Sequence, residues 1–297
     1  DRGWHITGST GMLGAAAGRA RRLGLDAQRT AMALGIAASQ PVGLREQFGT
    51  MTKPLHPGAA ARAGLMAALM AQHGFTASRR ALEAPRGLVQ VVSTKADWRE
   101  ATDELGQRFE ISFNTYKPFA CGIVIHPAID AAVQLRERGV RPEQIERIEL
   151  RVHSLVLELT GKKEPKDGLE GKFSVYHGCA AGLIVGRAGE DEYADAFVTR
   201  PDVDALRRKI VATVDDSIDE AAVDMTAVLA DGRREHVFVE HAIGSLQRPM
   251  SDAALEAKFH ALADGVIGAA RTTELLQALW ATGTSPDVRR IAALAQA

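Results

Sequence analysis

Hydrophobic positions in the first third of the chain recur with helical spacing. The predicted helices cover residues 11–23, 27–39 and 57–74. Gly24 suits a helix end, Asp26 is a good N-cap, and Pro57 suits a first helical turn. Small residues are dense here, which favours helices that pack closely together. The pattern therefore predicts a helical region over residues 1–90.

The middle of the chain changes to the alternation of apolar and polar residues that is typical of strands. The predicted strands cover residues 145–159, 209–214, 221–228 and 235–241. Ala230-Asp231-Gly232 separates the last two and is a strong hairpin signal. Helices are predicted at 127–138 and 174–185. This mixture indicates an α+β region over 91–247 rather than a regular parallel βαβ array.

Helical spacing returns near the end of the chain. The predicted helices there cover residues 251–263, 272–279 and 286–295. The simplest fold class is a mixed α and α/β one: an all-helical domain, discontinuous in sequence, plus an α+β domain. We expect residues 1–90 and 248–297 to form the helical domain, with the last helices returning to the first, and 91–247 to form the α+β domain.

Composition narrows the class of protein. The 297 residues are 46% hydrophobic and 25% charged, as in a soluble globular protein. Lys and Arg number 36 and Asp and Glu 37, which argues against a nucleic-acid or anionic-membrane binder, because those need a basic surplus. No 18-residue stretch is both apolar and uncharged, so no membrane span is predicted. Only Cys121 and Cys179 are present, so a disulfide scaffold is excluded and a cytoplasmic location is expected.

Polar residues that could carry chemistry are concentrated in four segments. They are Gly3-Trp4-His5-Ile6-Thr7-Gly8, Gly49-Thr50-Met51-Thr52-Lys53-Pro54-Leu55-His56-Pro57-Gly58, Tyr116-Lys117-Pro118-Phe119-Ala120-Cys121 with His126-Pro127, and Gly171-Lys172-Phe173-Ser174-Val175-Tyr176-His177-Gly178. A helix that opens at Pro57 would place free N–H groups and a positive dipole end near Lys53 and His56, which favours anion binding. The proline after Lys53 and after Lys117 is expected to keep the backbone extended there.

Each of these segments alone also has an ordinary interpretation. A lysine is most often a solvated surface charge, and a histidine at a helix start is often a cap or a core hydrogen-bonding group. Ser174, for example, suits an N-cap with His177 in the first turn. Taken together, however, lysines and histidines beside helix N-termini would bind a small di- or tricarboxylate and supply an acid or base near neutral pH.

Other kinds of site find little support in the sequence. Gly8-Ser9-Thr10-Gly11 resembles a nucleotide loop only faintly, since no strand precedes it and no Gly-Lys-Ser/Thr follows. The nine histidines form no His-Glu-x-x-His pattern, so no metal site is predicted. Ser9 and Ser174 lack the Gly-x-Ser-x-Gly context of a serine hydrolase.

The four segments, in this order, resemble the MmgE/PrpD family, whose members include 2-methylcitrate dehydratase, cis-aconitate decarboxylase and iminodisuccinate epimerase. The second segment is the most specific, and the resemblance covers nearly the whole chain. It implies an all-helical domain plus an α+β lid, with the active site in the cleft between them. It also implies a homodimer, no metal or organic cofactor, and a small polycarboxylate substrate that loses or gains a proton next to a carboxylate.

The resemblance also implies roles for individual residues. His5, Lys53 and Lys117 would be catalytic, with the two lysines pairing with substrate carboxylates and His5 as the first choice of base or acid. Tyr176 or His177 would be the proton partner. The remaining expected substrate contacts are Thr7, His56, His126 and Ser174.

Two departures from the family pattern affect these expectations. Better-known members carry a tyrosine three residues after the serine of the fourth segment, whereas His177 holds that position here and Tyr176 comes one residue earlier. Members also have a helical segment upstream of Gly3-Trp4-His5, which we expect to be absent because the chain starts at Asp1.

Three hypotheses about the function remain open at this point. The first is a lyase with 2-methylcitrate dehydratase-like activity. The second is an epimerase, isomerase or decarboxylase of the same family. The third is a truncated, non-catalytic subunit that binds carboxylates.

Overall fold

The computed structural model describes residues 3–296. These residues form two compact units, which divide between Phe109 and Glu110. The first unit is helical throughout its regular structure. Its helices are α1 (Ile6–Arg22), α2 (Ala27–Ala37), α3 (Thr52–Gln72), α4 (Leu88–Val92) and α5 (Arg99–Thr102). The division into 1–90, 91–247 and 248–297 stays a prediction.

Small side chains allow α1 and α3 to pack closely. Most of the buried core of this unit is alanine, around Met12 and Ile36. A Cβ at Gly64 in α3 would lie 2.5 Å from the Met12 carbonyl oxygen, so only glycine permits this approach of the two backbones. The density of alanine and glycine noted in the sequence therefore has the structural role that was expected of it.

The second unit combines helices with one mixed sheet. Its helices are α6 (His126–Glu137), α7 (Ser154–Thr160), α8 (Gly168–Gly171), α9 (Val175–Val185), α10 (Asp195–Val198), α11 (Pro201–Arg207), α12 (Asp252–Ile267), α13 (Ala269–Trp280) and α14 (Arg289–Leu294). Its strands are β1 (Ile145–Val152), β2 (Ile210–Val214), β3 (Val223–Leu229) and β4 (Arg234–Val239).

The four strands are arranged in the order β2-β1-β3-β4, with β1 parallel to β2 and the other neighbours antiparallel. Helix α6 lies against β3 and β4 and packs on α9. On α9, a Cβ at Gly178 would lie 3.0 Å from Ile129 Cγ1, and one at Gly182 would lie 2.9 Å from Ala132 Cβ. The glycines of α9 therefore allow its close contact with α6. This mixed sheet with helices confirms the predicted mixed fold class.

The exposed face of β1, β3 and β4 carries paired charges. Arg151 binds the carboxylates of Asp215 and Asp224, and Arg234 binds Glu149. Such exposed pairs contribute little to stability, and they keep this face of the sheet polar. Among the described residues, no helix is long and apolar enough to cross a membrane.

Several element boundaries differ from the predicted ones. Helix α1 begins at Ile6 rather than at residue 11. Its first turn contains Gly8, where a Cβ would clash with the Val42 carbonyl oxygen, so a tertiary contact accounts for glycine at this helical position. The strand predicted over 145–159 ends at Val152, and α7 follows. His153 caps α7, since its Nδ1 accepts a hydrogen bond from the Leu155 N–H at 3.2 Å.

The prediction for the start of α3 is wrong. The helix opens at Thr52, so Lys53 is helical rather than extended, and Pro57 lies inside the helix. Proline at position 54 is tolerated because N–H groups of the first turn have no helical partner in any case. The positive helix end thus lies near Thr52 and Lys53, one turn before His56.

Candidate active site

A short backbone pairing fixes the position of His5. Trp4 forms a β-bridge with Leu44, and the His5 N–H donates to the Gly43 carbonyl oxygen at 3.1 Å. The N–H of Arg45 donates in turn to the Gly3 carbonyl oxygen at 2.9 Å. The first polar segment of the sequence is therefore held against residues 43–45, immediately before α1 begins.

His56 lies in α3 with only 6% of its surface exposed, in a space that two glycines leave open. Gly43 has φ +98°, and a Cβ there would lie 2.8 Å from His56 Nδ1. A Cβ at Gly8 would lie 3.2 Å from His56 Cβ. Any larger residue at position 43 would therefore displace this imidazole.

The two imidazoles meet directly. His5 Nδ1 lies 2.9 Å from His56 Nδ1. The ring of Phe48 contacts His5 edge-on at 5.0 Å between centroids, and Lys53 Nζ lies 5.1 Å from the centre of the same Phe48 ring. Burial, then the neighbouring His56 and Lys53, lower the pKa of His5 below its ordinary value of 6.5. His5 is thus kept neutral near pH 7, as a general base must be.

The structure thus brings together three of the four site residues predicted in this unit. His5 contacts both His56 and Phe48, and Lys53 lies over the same Phe48 ring, so the three residues form one cluster. Thr7 lies exposed in the first turn of α1. Its role as a substrate contact stays a prediction.

Two lysines converge in the second unit. Lys117 lies outside regular structure, as predicted, and its Nζ donates to the Cys121 carbonyl oxygen at 2.9 Å. Lys258, on α12, donates through Nζ to the Lys117 carbonyl oxygen at 2.6 Å. This second lysine holds the backbone that carries the first.

His126 begins α6 and is buried beside this lysine pair. Its ring contacts Phe119 edge-on at 5.3 Å, and its Nε2 has no hydrogen-bond partner among residues 3–296. Burial and the positive charge of Lys117 lower its pKa to about 4, with Lys258 a smaller contribution. Near pH 7 this imidazole is neutral.

The residues predicted in the fourth segment lie in the protein core. Ser174 caps α9, as expected, because its Oγ accepts a hydrogen bond from the His177 N–H at 3.1 Å. Tyr176 is 4% exposed, and burial raises its pKa. Their proposed contacts with substrate stay predictions.

His177 has no exposed surface. Its Nε2 donates to the Glu192 carbonyl oxygen at 2.7 Å, which leaves Nδ1 to accept from Arg207 at 3.4 Å. Burial lowers its pKa to about 4. Both ring nitrogens thus have partners within the core, which favours a structural role, and the predicted proton-transfer role stays a prediction.

Sequence reasoning did not single out Gly43, Phe48 or Lys258. Gly43 and Phe48 shape the site of the His5–His56 pair from a loop, and only the tertiary pairing with residues 3–5 shows this. Lys258 is 141 residues from Lys117 in the chain, so no local motif links them. Within the part of the chain that the structure describes, no three of the His, Cys, Asp and Glu side chains are grouped as a metal site would require.

Comparison with known proteins identifies similar sequences over both units. The family model described as the MmgE/PrpD N-terminal domain matches residues 1–101, and the MmgE/PrpD C-terminal domain matches residues 119–282. A cis-aconitate decarboxylase from Aspergillus terreus is 27% identical over 301 residues, covering 93% of this chain and 61% of that protein.

Mammalian proteins of the same name are similarly related. Cis-aconitate decarboxylase from Mus musculus is 26% identical over 276 residues (89% of this chain, 56% of that protein), and the one from Homo sapiens is 26% identical over 282 residues (89% and 57%). The chain thus spans about three-fifths of the length of these relatives. Because the C-terminal family model alone matches more than half of the chain, the resemblance is confirmed: the chain belongs to the MmgE/PrpD family.

Proposed function

We propose that this chain supplies the catalytic residues of a lyase that acts on a small polycarboxylate, with decarboxylation of cis-aconitate as the reaction. The His5–His56–Lys53 cluster carries the proposal, because it combines an imidazole, which can transfer a proton, with a cation. The names of the relatives favour decarboxylation over the dehydration of 2-methylcitrate that the resemblance alone suggested.

These residues need only transfer a proton and stabilise negative charge. In decarboxylation, the carbon–carboxylate bond breaks, CO2 leaves, and one proton is added to the carbon skeleton. In dehydration, a C–H proton and a hydroxide leave together as water while a double bond forms. Both reactions build negative charge on a carbon next to a carboxylate, which a nearby ammonium group stabilises.

We assign the proton transfer to His5 and the charge stabilisation to Lys53. In decarboxylation, His5 would take up a proton from solvent at Nε2 and deliver it to the carbon that loses CO2, whereas in dehydration neutral His5 would remove the C–H proton. In the second unit, Lys117 and Lys258 supply positive charge beside the buried His126. Ammonium groups of this kind bind carboxylates as point charges. We further propose that the protein is a homodimer, to be tested by sedimentation equilibrium.

The assay for this proposal measures proton exchange and CO2 release in the same sample. The protein is incubated in D2O with cis-aconitate, 2-methylcitrate, citrate or iminodisuccinate, and CO2 release and deuterium incorporation are measured. We expect CO2 and a deuterated product from cis-aconitate, and loss of both in His5→Gln. The exposed His73, at the end of α3, provides the control His73→Gln, which should remain active.

The other outcomes have definite meanings. Water loss from 2-methylcitrate without CO2 release would identify a dehydratase. Deuterium exchange without either product would identify an epimerase. Calorimetric binding of cis-aconitate with no turnover or exchange would identify a carboxylate-binding subunit and overturn the proposed lyase activity.

A further inference from the structure

The contact between His5 and His56 joins two like atoms. Both are Nδ1, and they lie 2.9 Å apart. A hydrogen bond at this distance needs one hydrogen between them, so one ring must donate and the other must accept. The direction of this bond decides which form of His5 the protein stabilises.

The direction follows from the chemistry assigned to His5, so this step rests on the proposed function. As a base, neutral His5 must carry its lone pair on Nε2 and its hydrogen on Nδ1. As an acid, it must be an imidazolium with hydrogens on both nitrogens. In both forms Nδ1 is a donor. Only the neutral form with hydrogen on Nε2 would reverse the bond, and that form is neither a base at Nε2 nor an effective acid.

We propose that His56 is a positioning residue that accepts the hydrogen bond of His5 through Nδ1 and holds His5 in its Nδ1–H form. This differs from the substrate contact expected from the sequence. His56 itself must then be neutral, with its own hydrogen on Nε2. Whether His5 gives a proton to the substrate carbon or takes one from it at Nε2, its Nδ1–H still donates to His56, so the pair needs no rearrangement during the transfer.

The surroundings of His56 suit a fixed acceptor. Its side chain is buried, and the backbone of Gly43 lies against its Nδ1. The same Gly43 accepts the backbone N–H of His5 through its carbonyl group, so both imidazoles are positioned by one loop residue. The charged and titratable groups that act on His5 are His56 and Lys53, both from α3, and Phe48 covers the ring edge.

The first test does not depend on activity. Long-range 15N–1H NMR spectra of the 15N-histidine-labelled protein distinguish protonated from unprotonated ring nitrogens, and His5→Gln identifies the His5 signals. We expect the neutral form of His5 to carry its hydrogen on Nδ1. A hydrogen on Nε2 of neutral His5 would overturn the proposal, whether or not the protein proves to be a lyase.

The second test uses variants of the acceptor. His56→Leu removes the acceptor, and His56→Asn returns a carbonyl oxygen near the Nδ1 position. A hydrogen bond to a group that becomes charged is worth on the order of a 10- to 100-fold change. We therefore expect kcat for the lyase reaction to fall on the order of 10- to 100-fold in His56→Leu with little change in KM, and to recover substantially in His56→Asn.

The matched control is His73→Leu, the same substitution at the exposed end of the same helix, which should leave kcat unchanged. Should His56→Leu be unstable, the NMR spectrum of His56→Asn decides, since it should keep His5 in the Nδ1–H form. A rise in KM alone in His56→Leu would show that His56 binds substrate and would overturn the positioning role. Inactivity of the unmodified protein, with the expected NMR result, would reject the lyase activity and leave the hydrogen bond in place.

Discussion

Gly43 contacts both members of the His5–His56 pair through its backbone. Its φ of +98° is left-handed, and a Cβ would lie 2.8 Å from His56 Nδ1. Backbone strain alone costs a non-glycine residue about 1–3 kcal/mol in such a conformation. At Gly43, a methyl group would also displace the His56 imidazole. We therefore expect a loss of activity there in addition to the loss of stability that strain causes.

This argument predicts the behaviour of Gly43→Ala against a matched control. Gly74 has a similar φ of +87°, and no heavy atom lies within 4 Å of the position that a methyl group would take there, so Gly74→Ala reports strain alone. We expect Gly74→Ala to lose about 1–3 kcal/mol of stability in urea denaturation and Gly43→Ala to lose more, because of the added clash, and only Gly43→Ala to lose kcat. Equal activity in the two variants would contradict a role of Gly43 in placing the imidazole pair.

At the scale of elements, one of the site residues that the sequence suggested, Ser174, is also a helix cap. Ser174 Oγ has its hydrogen bond with the His177 N–H at the start of α9, inside the core. Ser251 has the same arrangement at the start of α12, where its Oγ accepts from the Ala254 N–H at 3.2 Å. The two serines differ in burial, and comparing them separates capping from substrate binding.

We expect Ser174→Ala to lower the free energy of unfolding by about 1 kcal/mol, the usual contribution of an N-cap. Ser251→Ala, at an exposed cap, should show a loss of similar sign in the same urea titration. The dissociation constant for cis-aconitate, measured by calorimetry, should not change in either variant. A weaker affinity in Ser174→Ala alone would support the substrate contact expected from the sequence.

Local sequence patterns predict some of the helices and strands correctly but not all of them. The hairpin β3–β4, the helix α9 with its Ser174 cap and the existence of helix α12 were all predictable, because their turn and cap residues act locally. For α12 the sequence allowed either Ser251 or Asp252 as the cap, and the structure has Ser251. The start of α3 was not predictable, because proline signals a first turn but does not say which of two prolines provides it.

The His5–His56 contact could not be predicted from local sequence patterns. Both histidines were chosen as site residues from their motifs. Their separation of 51 residues is bridged by tertiary contacts, namely the pairing of Trp4 with Leu44 and the packing of α1 on α3, which have no local sequence signature. Tertiary contacts of this sort decide what the residues can do together.

For the molecule as a whole, two buried histidines make the free energy of unfolding depend on pH. His126 and His177 have pKa values of about 4 in the folded protein, because burial disfavours the imidazolium, against about 6.5 in the unfolded chain. Between these values the unfolded chain binds protons that the folded protein does not. Stability is therefore greatest above pH 6.5 and is lost as the pH falls towards 4.

We expect the urea midpoint to fall steadily between pH 6.5 and pH 4. His177→Gln removes one titrating group while keeping an amide donor for the Glu192 carbonyl oxygen, so its midpoint should fall less steeply than that of the unmodified protein. His126→Gln should have the same effect. A slope that is unchanged in both variants would show that other groups control acid unfolding.

The close packing of α6 and α9 has a consequence for how such a protein can diverge. Gly178 and Gly182 leave no room for a methyl group against Ile125, Ile129 and Ala132. A larger residue on one helix becomes acceptable only when a neighbour on the other becomes smaller, so substitutions at these positions should arise in compensating pairs. The contacting residues of the two helices would therefore covary in evolution, and this covariation would reflect side-chain volume rather than chemical type.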